Sequence, residues 1–188
     1  MLKKNVCVVI GSRANYSSIK SVLKEINESD FLNLQLITTG SAVLDRYGNV
    51  ANLIRNDGFI PIASVNALVE GETLTTMAKS VGLGIIELSS LFENIKPDIV
   101  LTVGDRYETM ATVISAAYTN IILAHTMGGE VTGTIDESIR HAITKFSHIH
   151  FPASKDAAVR IKNLGEEDKN IHMVGCPRLD LISEIIKK

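Results

Sequence analysis

The sequence is poor in several residue types, and each shortage excludes a class of protein. Among 188 residues there are no tryptophans, two cysteines and four prolines. Cys7 and Cys176 lie far apart and form neither a disulfide framework nor a Cys-x-x-Cys ligand pair. We therefore expect both thiols to be reduced, and we expect no stapled or zinc-ribbon architecture.

Excess charge and long apolar runs are also missing. The formal net charge is -2, with 19 basic and 21 acidic residues spread along the chain, which argues against a nucleic-acid or anionic-membrane surface and favours a small-molecule partner. Before Gly11 the chain has only about five apolar residues, too few for a signal peptide, and no run approaches the roughly 20 residues of a membrane span. We expect a cytoplasmic protein.

No repeat and no linker rich in proline, glycine or serine interrupts the chain, and a hydrophobic content of 45% is enough for one core. Short β-branched runs alternate with segments of helical periodicity. The predicted strands are 5–10, 34–39, 59–63, 98–103, 120–125, 148–151 and 171–175. Strands that are apolar on both faces and are separated by helices are typical of a parallel sheet covered on both sides. The sequence predicts an α/β protein with a Rossmann-like, doubly wound parallel sheet.

Ligands of such sheets bind beyond the carboxyl ends of the strands, which directs attention to the segments 11–18, 39–49, 104–108 and 125–137. In the first, Ser12 and Arg13 open a helix where free amides and a cation suit an anion, although a plain helix cap by Ser12 explains the pattern equally well. The segment has no dinucleotide fingerprint. Thr38 and Thr39 stand where a ribose-binding acid would be expected, which argues against NAD.

The segment "GDRYE" places Asp105 directly after a predicted buried strand. A carboxylate in this position is either a helix cap or a catalytic group, and the sequence leaves both interpretations open. Arg106 and Glu108 are expected to be solvated.

The segment "HTMGGEVTGTIDE" is the densest in functional side chains. Gly128, Gly129 and Gly133 permit the backbone to approach a ligand closely. Thr134 and Glu137 match a capping box, in which Glu137 reaches back to the start of the helix. The polar residues of this segment therefore have an ordinary structural explanation beside a catalytic one.

The following helix has polar pairs at a spacing of four residues, Asp136 with Arg140 and Glu137 with His141. Its apolar residues Ile135, Ile139, Ala142 and Phe146 are expected to face the core. His148 and His150 alternate along a predicted strand, so a metal site with His141 is conceivable. Because no third ligand has a secure spacing, we predict no metal.

Taken together, "GSRANYSSIK", "GDR", "HTMGGEVTGTIDESIRHAITKFSHIHF" and "GCPRLD" resemble the hydrolysing UDP-N-acetylglucosamine 2-epimerases of sialic acid and legionaminic acid pathways. The resemblance runs over the whole chain. It implies a two-domain fold like that of GT-B glycosyltransferases, of which residues 1–188 would be the amino-terminal Rossmann-like domain. The carboxy-terminal nucleotide-binding domain would be absent from this chain. It also implies a nucleotide-sugar substrate, no cofactor, and a homo-oligomer for the full-length protein.

The resemblance further implies a reaction that eliminates the nucleoside diphosphate to give a 2-acetamidoglucal, then adds water. It assigns catalytic roles to Asp105, Asp136 and Glu137. Relatives have a glutamate where this chain has Met127, so either Glu130 does that work or the substrate differs. The implied substrate-binding residues are Ser12, Arg13, His125, Met127, Gly128, Gly129, Arg140 and His141.

Two alternatives stay open at this stage, a stand-alone nucleotide-sugar binding module and one half of a GT-B glycosyltransferase. The sequence determines neither the sugar nor the nucleotide base, and it does not determine the oligomeric state.

Overall fold

The computed structural model of the chain describes residues 2–186, and strands alternate with helices over that range. The strands are β1 (Lys4–Ile10), β2 (Leu32–Thr39), β3 (Ala63–Val65), β4 (Ile99–Val103), β5 (Ile122–Thr126) and β6 (Ile149–Phe151). The α-helices are α1 (Arg13–Glu28), α2 (Val50–Asn56), α3 (Leu74–Ile95), α4 (Tyr107–Tyr118), α5 (Ile135–Phe146), α6 (Lys155–Asn163) and α7 (Pro177–Ile186). None of these helices combines the length and apolar character needed to cross a bilayer.

The six strands form one sheet in the order β3-β2-β1-β4-β5-β6, and every neighbouring pair is parallel. This is the strand order of a doubly wound Rossmann-like sheet, with the switch in direction between β1 and β4. The predicted fold class is confirmed. The carboxyl ends of all six strands consequently lie along one edge of the sheet.

The core has two layers because side chains of a strand alternate between the faces of the sheet. From β1, Val8 points into a cluster with Ile19 and Leu23 of α1, while Cys7 points into a cluster with Phe92 of α3. All of these side chains are buried. Burial raises the pKa of the Cys7 thiol, so the thiol is neutral and acts as a packing group.

The predicted strand 59–63 lies too early in the chain. Pro61 has no amide hydrogen for a sheet ladder, and Ile60 is 84% exposed. The strand forms after the proline instead, with β3 pairing Ala63 beside Ile37 of β2.

The predicted seventh strand, 171–175, is also wrong as a strand. Ile171 makes a single parallel bridge to His150, and Val174 N donates to Pro152 O over 3.2 Å. The segment lies beside β6, but Pro152 has no amide to return a hydrogen bond, so the ladder cannot continue.

Helix α5 presents only part of its predicted apolar face to the core, where Ile139 packs in a partly buried position. Ile135 and Phe146 are exposed, whereas Arg140, Ile143 and Thr144 are buried. A buried arginine requires a partner, so the reason for this orientation lies in what Arg140 contacts.

Candidate active site

The loops at the carboxyl edge of the sheet are joined in pairs by backbone hydrogen bonds. After β4, Gly104 N donates to Thr126 O of β5 over 3.3 Å, and Ala42 N, after β2, donates to Gly11 O over 3.2 Å. The segments that the sequence singled out therefore meet along one edge, where a doubly wound sheet places its ligand site.

Asp105 and Arg140 form an ion pair that joins the loop after β4 to helix α5. The Arg140 side chain is 5% exposed, and its Nη1 donates to Glu130 O over 2.6 Å. The predicted pair of Arg140 with Asp136 is therefore wrong. The interpretation of Asp105 as a helix cap is also wrong, because α4 has Arg106 at its N-cap position. Arg140 is enclosed by protein groups, so its structure favours a role in fixing Asp105 over direct contact with substrate.

Glu137 closes the turn before α5. Its Oε2 accepts from the amides of Thr132 and Gly133 over 2.8 Å each, and Thr134, at the N-cap, makes no side-chain cap. The predicted capping box is wrong in its partners, although Glu137 does reach back along the chain. These amides hold the pKa of Glu137 below its ordinary value, which keeps the carboxylate ionised. His141 Nε2 lies 3.8 Å from Glu137 Oε1, so the predicted contact between these residues is present.

The glycines of this loop have different surroundings. A Cβ on Gly129 would lie 2.3 Å from Ala157 O, and one on Gly128 would lie 2.9 Å from His125 Nδ1. Close packing within the protein is therefore sufficient to require glycine at both positions. Gly133 is different: a Cβ there would have open space around it, and the φ of this residue is +71°.

His125 lies beneath the loops rather than on their surface. It is 1% exposed, and its Nε2 lies 2.9 Å from Gly104 O. A carbonyl oxygen can only accept, so Nε2 carries the proton. Burial lowers the pKa of His125 to about 4, and the ring is neutral at physiological pH. The expected contact of His125 with substrate stays a prediction; in this structure the ring supports the turn that carries Asp105.

Met127 and Glu130 occupy different surroundings in the same loop. Met127 packs against the core cluster below it and has a left-handed backbone, with a φ of +61°, which is uncommon outside glycine. Glu130 Oε1 accepts from Ser154 Oγ over 3.4 Å, which directs this carboxylate toward the start of α6.

At the start of α1, Ser12 acts as the N-cap, with Oγ accepting from Asn15 N over 3.2 Å. Ser12 is buried and Arg13 is exposed. The capping interpretation of Ser12 is confirmed, and Arg13 is accessible at the edge where the loops meet.

The histidines suggested as metal ligands do not converge. His148 is exposed and precedes β6, whereas His150 is buried, with Nε2 3.4 Å from Glu166 Oε2. The two rings therefore differ in exposure, with only His148 open to solvent. In the part of the chain that the structure describes, no group of three acidic, histidine or cysteine side chains is placed to hold a metal.

Comparison with known proteins identifies the family of the chain. The sequence profile described as UDP-N-acetylglucosamine 2-epimerase matches residues 24–188. The chain belongs to the UDP-N-acetylglucosamine 2-epimerase family.

Two curated members of the family are similar over nearly the whole chain. The protein named UDP-N,N'-diacetylbacillosamine 2-epimerase (hydrolyzing) from Legionella pneumophila is 38% identical over 98% of this chain and 48% of its own length. The UDP-N-acetylglucosamine 2-epimerase of Neisseria meningitidis is 34% identical over 96% of this chain and 47% of its length. The chain thus spans about half the length of the curated relatives that it matches.

Solved structures of the family share the fold. A crystal structure of UDP-N-acetylglucosamine 2-epimerase superposes with a TM-score of 0.87 at 21% identity, over 97% of this chain and 51% of that one. The Neisseria meningitidis enzyme bound to UDP-GlcNAc gives a TM-score of 0.85 at 19% identity, over 97% of this chain and 50% of that one. The match confirms a Rossmann-like unit that corresponds to about half of a GT-B-like epimerase fold.

The structure of this family member also reveals residues that sequence reasoning missed. Glu108 is 8% exposed and binds Arg106, so the expectation that Glu108 is solvated is wrong, whereas the Arg106 side chain is 43% exposed. Arg106 and Tyr107 line a pocket of about 400 Å³ that also includes Arg46 and Glu70. In "GDRYE", Arg106 and Glu108 have opposite charges and are two residues apart, and this spacing could have indicated the ion pair. Only the fold shows that the Glu108 side chain points inward.

Proposed function

We propose that this chain forms one half of a hydrolysing nucleotide-sugar 2-epimerase. The full protein would convert a UDP-N-acetylglucosamine-type sugar nucleotide to a free N-acetylmannosamine-type sugar and a nucleoside diphosphate. The observation that carries the proposal is the meeting of Asp105, Arg140 and the Glu137 turn at the carboxyl edge of the sheet. Support also comes from relatives at 34% and 38% identity that are named for such reactions.

The proposed chemistry is an elimination followed by addition of water. The C1–O bond to the diphosphate breaks as a proton leaves C2, and the C1–C2 double bond of a 2-acetamidoglucal forms. Water then adds to C1 while a proton reaches C2 from the opposite face, which inverts that carbon. The proton on C2 has no neighbouring carbonyl to acidify it, so positioned acid/base groups and charge stabilisation at the leaving group are both required.

We assign the acid/base work to Asp105 and to the acidic turn of Asp136 and Glu137. Asp105 is held in one orientation by the enclosed Arg140, and Glu137 is ionised, which is the form that can accept a proton, although its lowered pKa makes it a weak base. Glu130 was a further candidate. Its contact with Ser154 favours a role in holding the loop.

We further propose that a second domain completes the site. The side chains of Asp105 and Glu137 are 21% and 27% exposed at the edge of a single sheet. An elimination that expels a diphosphate needs a closed, dehydrated cleft, which one wall cannot supply. The chain spans about half the length of its relatives, which agrees with a second domain on the other side of the cleft. A homo-oligomeric, cytoplasmic full-length protein stays a prediction.

The sugar is proposed to be a 6-deoxy, di-N-acetylated one. A thioether cannot transfer protons, and Met127 packs on the core cluster below the loop, so we propose that it influences the sugar by setting the shape of this loop, where relatives of the other type would use a glutamate. In support, the Legionella pneumophila relative and one from Campylobacter jejuni are named for N,N'-diacetylbacillosamine.

The reaction is tested on the full-length protein in deuterated water, with no acceptor sugar present. Free monosaccharide with deuterium at C2 is expected. A product without deuterium at C2 would contradict the elimination. A glycosyltransferase or a stand-alone binding module would release no free epimerised sugar.

The substrate is tested by comparing kcat/KM for UDP-N,N'-diacetylbacillosamine and UDP-N-acetylglucosamine. In Met127→Glu the preference should move toward UDP-N-acetylglucosamine by about 10- to 100-fold, the scale of one pocket contact. Met173→Glu, at a residue that is 51% exposed, is the matched control. An unchanged preference in Met127→Glu would remove this interpretation.

A further inference from the structure

The loop between β5 and α5, residues 127–134, leads into the acidic turn of α5 on a strained backbone. Met127 and Gly129 both have left-handed conformations, with φ of +61° and +79°. This conformation is unfavourable for a residue with a side chain, and it persists only where the surroundings hold it. The shape of the loop therefore depends on the elements that pack against it.

Helix α6 lies directly against this loop. A Cβ on Gly129 would lie 2.3 Å from Ala157 O and 3.0 Å from Ala157 Cα, so a glycine is what allows the two backbones to be this close. Ser154, the N-cap of α6, donates from Oγ to Glu130 Oε1 over 3.4 Å. The loop thus rests on the start of α6.

Arg160 of α6 binds the loop at the same place. Its Nη1 donates to Gly129 O over 3.1 Å, and the residue is half-buried. Because the donor is a cation, this hydrogen bond is stronger than one between neutral groups. Arg160 comes three residues after Ala157, so both lie on the face of α6 that meets the loop.

The charge of Arg160 also acts on Glu137. The amides of Gly133 and Thr132 lower the pKa of Glu137, and the charges of His141 and Arg160 lower it further. His141 belongs to the same helix as Glu137, with Nε2 3.8 Å from Glu137 Oε1, whereas Arg160 acts from α6. One side chain of α6 therefore influences both the backbone of the loop and the carboxylate that follows it.

The far end of α6 is fixed to α5. Lys145 Nζ donates to Leu164 O over 3.1 Å and forms an ion pair with Glu166, which follows α6. Because α5 and α6 are joined at this end, α6 is a fixed support from which Arg160 can hold the loop.

We propose that Arg160 is a positioning residue of the candidate active site, which holds the loop 127–134 on α6 and keeps a positive charge beside Glu137. The inference rests on the proposed function, in which Glu137 belongs to the acid/base groups. Arg160 acts through the loop, since its hydrogen bond is made to a backbone carbonyl. Acid/base groups that are displaced by even a small distance lose much of their effect on the chemical step.

The kinetic test uses the full-length protein with UDP-N,N'-diacetylbacillosamine and with UDP-N-acetylglucosamine. Arg160→Met keeps an apolar stem and removes the charge and the donors, and it should lower kcat by about tenfold or more with a smaller change in KM. Arg160→Lys keeps the charge and a donor, and it should retain most of the wild-type rate. Lys162→Met is the matched control, because Lys162 lies on the same helix and pairs with the exposed Asp168 over 2.6 Å.

The pH profile separates positioning from a loss of folded protein. The acidic limb of kcat/KM should move to higher pH in Arg160→Met and stay in place in Arg160→Lys, because a carboxylate that loses a neighbouring cation has a higher pKa. His141, the other charged residue that faces Glu137, is present in every variant. A merely structural role would lower the amount of active enzyme and leave this limb where it is.

Hydrogen exchange of the segment 127–134 tests the support of the loop without catalysis. The amides of Met127, Thr132 and Gly133 are hydrogen-bonded, and they should exchange faster in Arg160→Met than in wild type or Lys162→Met. If Arg160→Met does not fold, Arg160→Gln takes its place, since it keeps a neutral donor and the acidic limb should still move.

Wild-type exchange in this segment, or an acidic limb that stays in place while the rate falls, would overturn the proposal. A rate in Arg160→Lys as low as in Arg160→Met would overturn it as well. Faster exchange in Arg160→Met, together with a wild type that turns over no nucleotide sugar, would support the positioning of the loop and refute the proposed function alone.

Discussion

Replacing Asp105 by asparagine should affect both stability and turnover, because Asp105 is the partner of an enclosed guanidinium. The Arg140 side chain is 5% exposed, and the substitution leaves its charge with the neutral oxygen of Glu130. Breaking a fully buried ion pair from one side costs about 3–5 kcal/mol. The Asp105 side chain is 21% exposed, so water recovers part of that loss, and we expect about 2–3 kcal/mol.

For a domain of this length, such a loss corresponds to a decrease in Tm of roughly 5–8 °C. It is measured by urea and thermal unfolding of the isolated chain, with Asp30→Asn, at an exposed aspartate, as the control. A double-mutant cycle with Arg140→Gln should recover a coupling of comparable size, since the second change removes the stranded charge.

In the full-length protein, Asp105→Asn should lower kcat by at least about 100-fold, because an amide cannot accept a proton. Wild-type rates would remove Asp105 from the acid/base groups. Unchanged stability together with no coupling to Arg140 would refute the argument that this pair holds the loop.

Three other predictions follow from the same loops. Gly129→Ala should destabilise the chain by about 2–5 kcal/mol, because the added Cβ would collide with Ala157 O. Gly133→Ala is the control and should cost only about 1–2 kcal/mol, because Gly133 has a similar φ but open space around its Cβ position. Equal losses of unfolding free energy in urea would contradict this prediction. The amides of Thr132 and Gly133 lower the pKa of Glu137, so its stabilisation is present above the ordinary glutamate pKa and is lost as the pH falls through the lowered value. The advantage of wild type over Glu137→Gln in unfolding free energy should therefore shrink between about pH 7 and pH 3. The isolated chain should unfold cooperatively by circular dichroism yet release no nucleoside diphosphate, and turnover at ordinary enzyme rates would contradict the two-domain proposal.

Much of the fold follows from local patterns that need no tertiary information. Buried parallel strands such as 5–10 and 98–103 are apolar on both faces, and this pattern distinguishes them from the amphipathic helices between them. The two errors in strand position came from prolines. Pro61 moved β3 to a later position, and Pro152 stopped the ladder that would have made 171–175 a strand.

The site was predicted less completely, because its contacts join residues far apart in the chain. The spacing of α5 suggested that Arg140 pairs with Asp136, four residues away, but Asp105 lies 35 residues away and binds it in the structure. Glu108 looked like a solvated residue, and it is buried because Gly11 and Gly40 lie against it.

The sequence by itself determined the alternation of strands and helices, the parallel sheet, the edge at which the loops meet and the family resemblance, since these depend on short-range periodicity and on long identical motifs. Only the tertiary structure decided which charged side chains are enclosed and which are accessible. The face of a helix that turns inward depends on partners supplied by other elements, as Asp105 does for Arg140. The attraction between two charged side chains depends on their distance in space, and the local sequence pattern does not determine that distance.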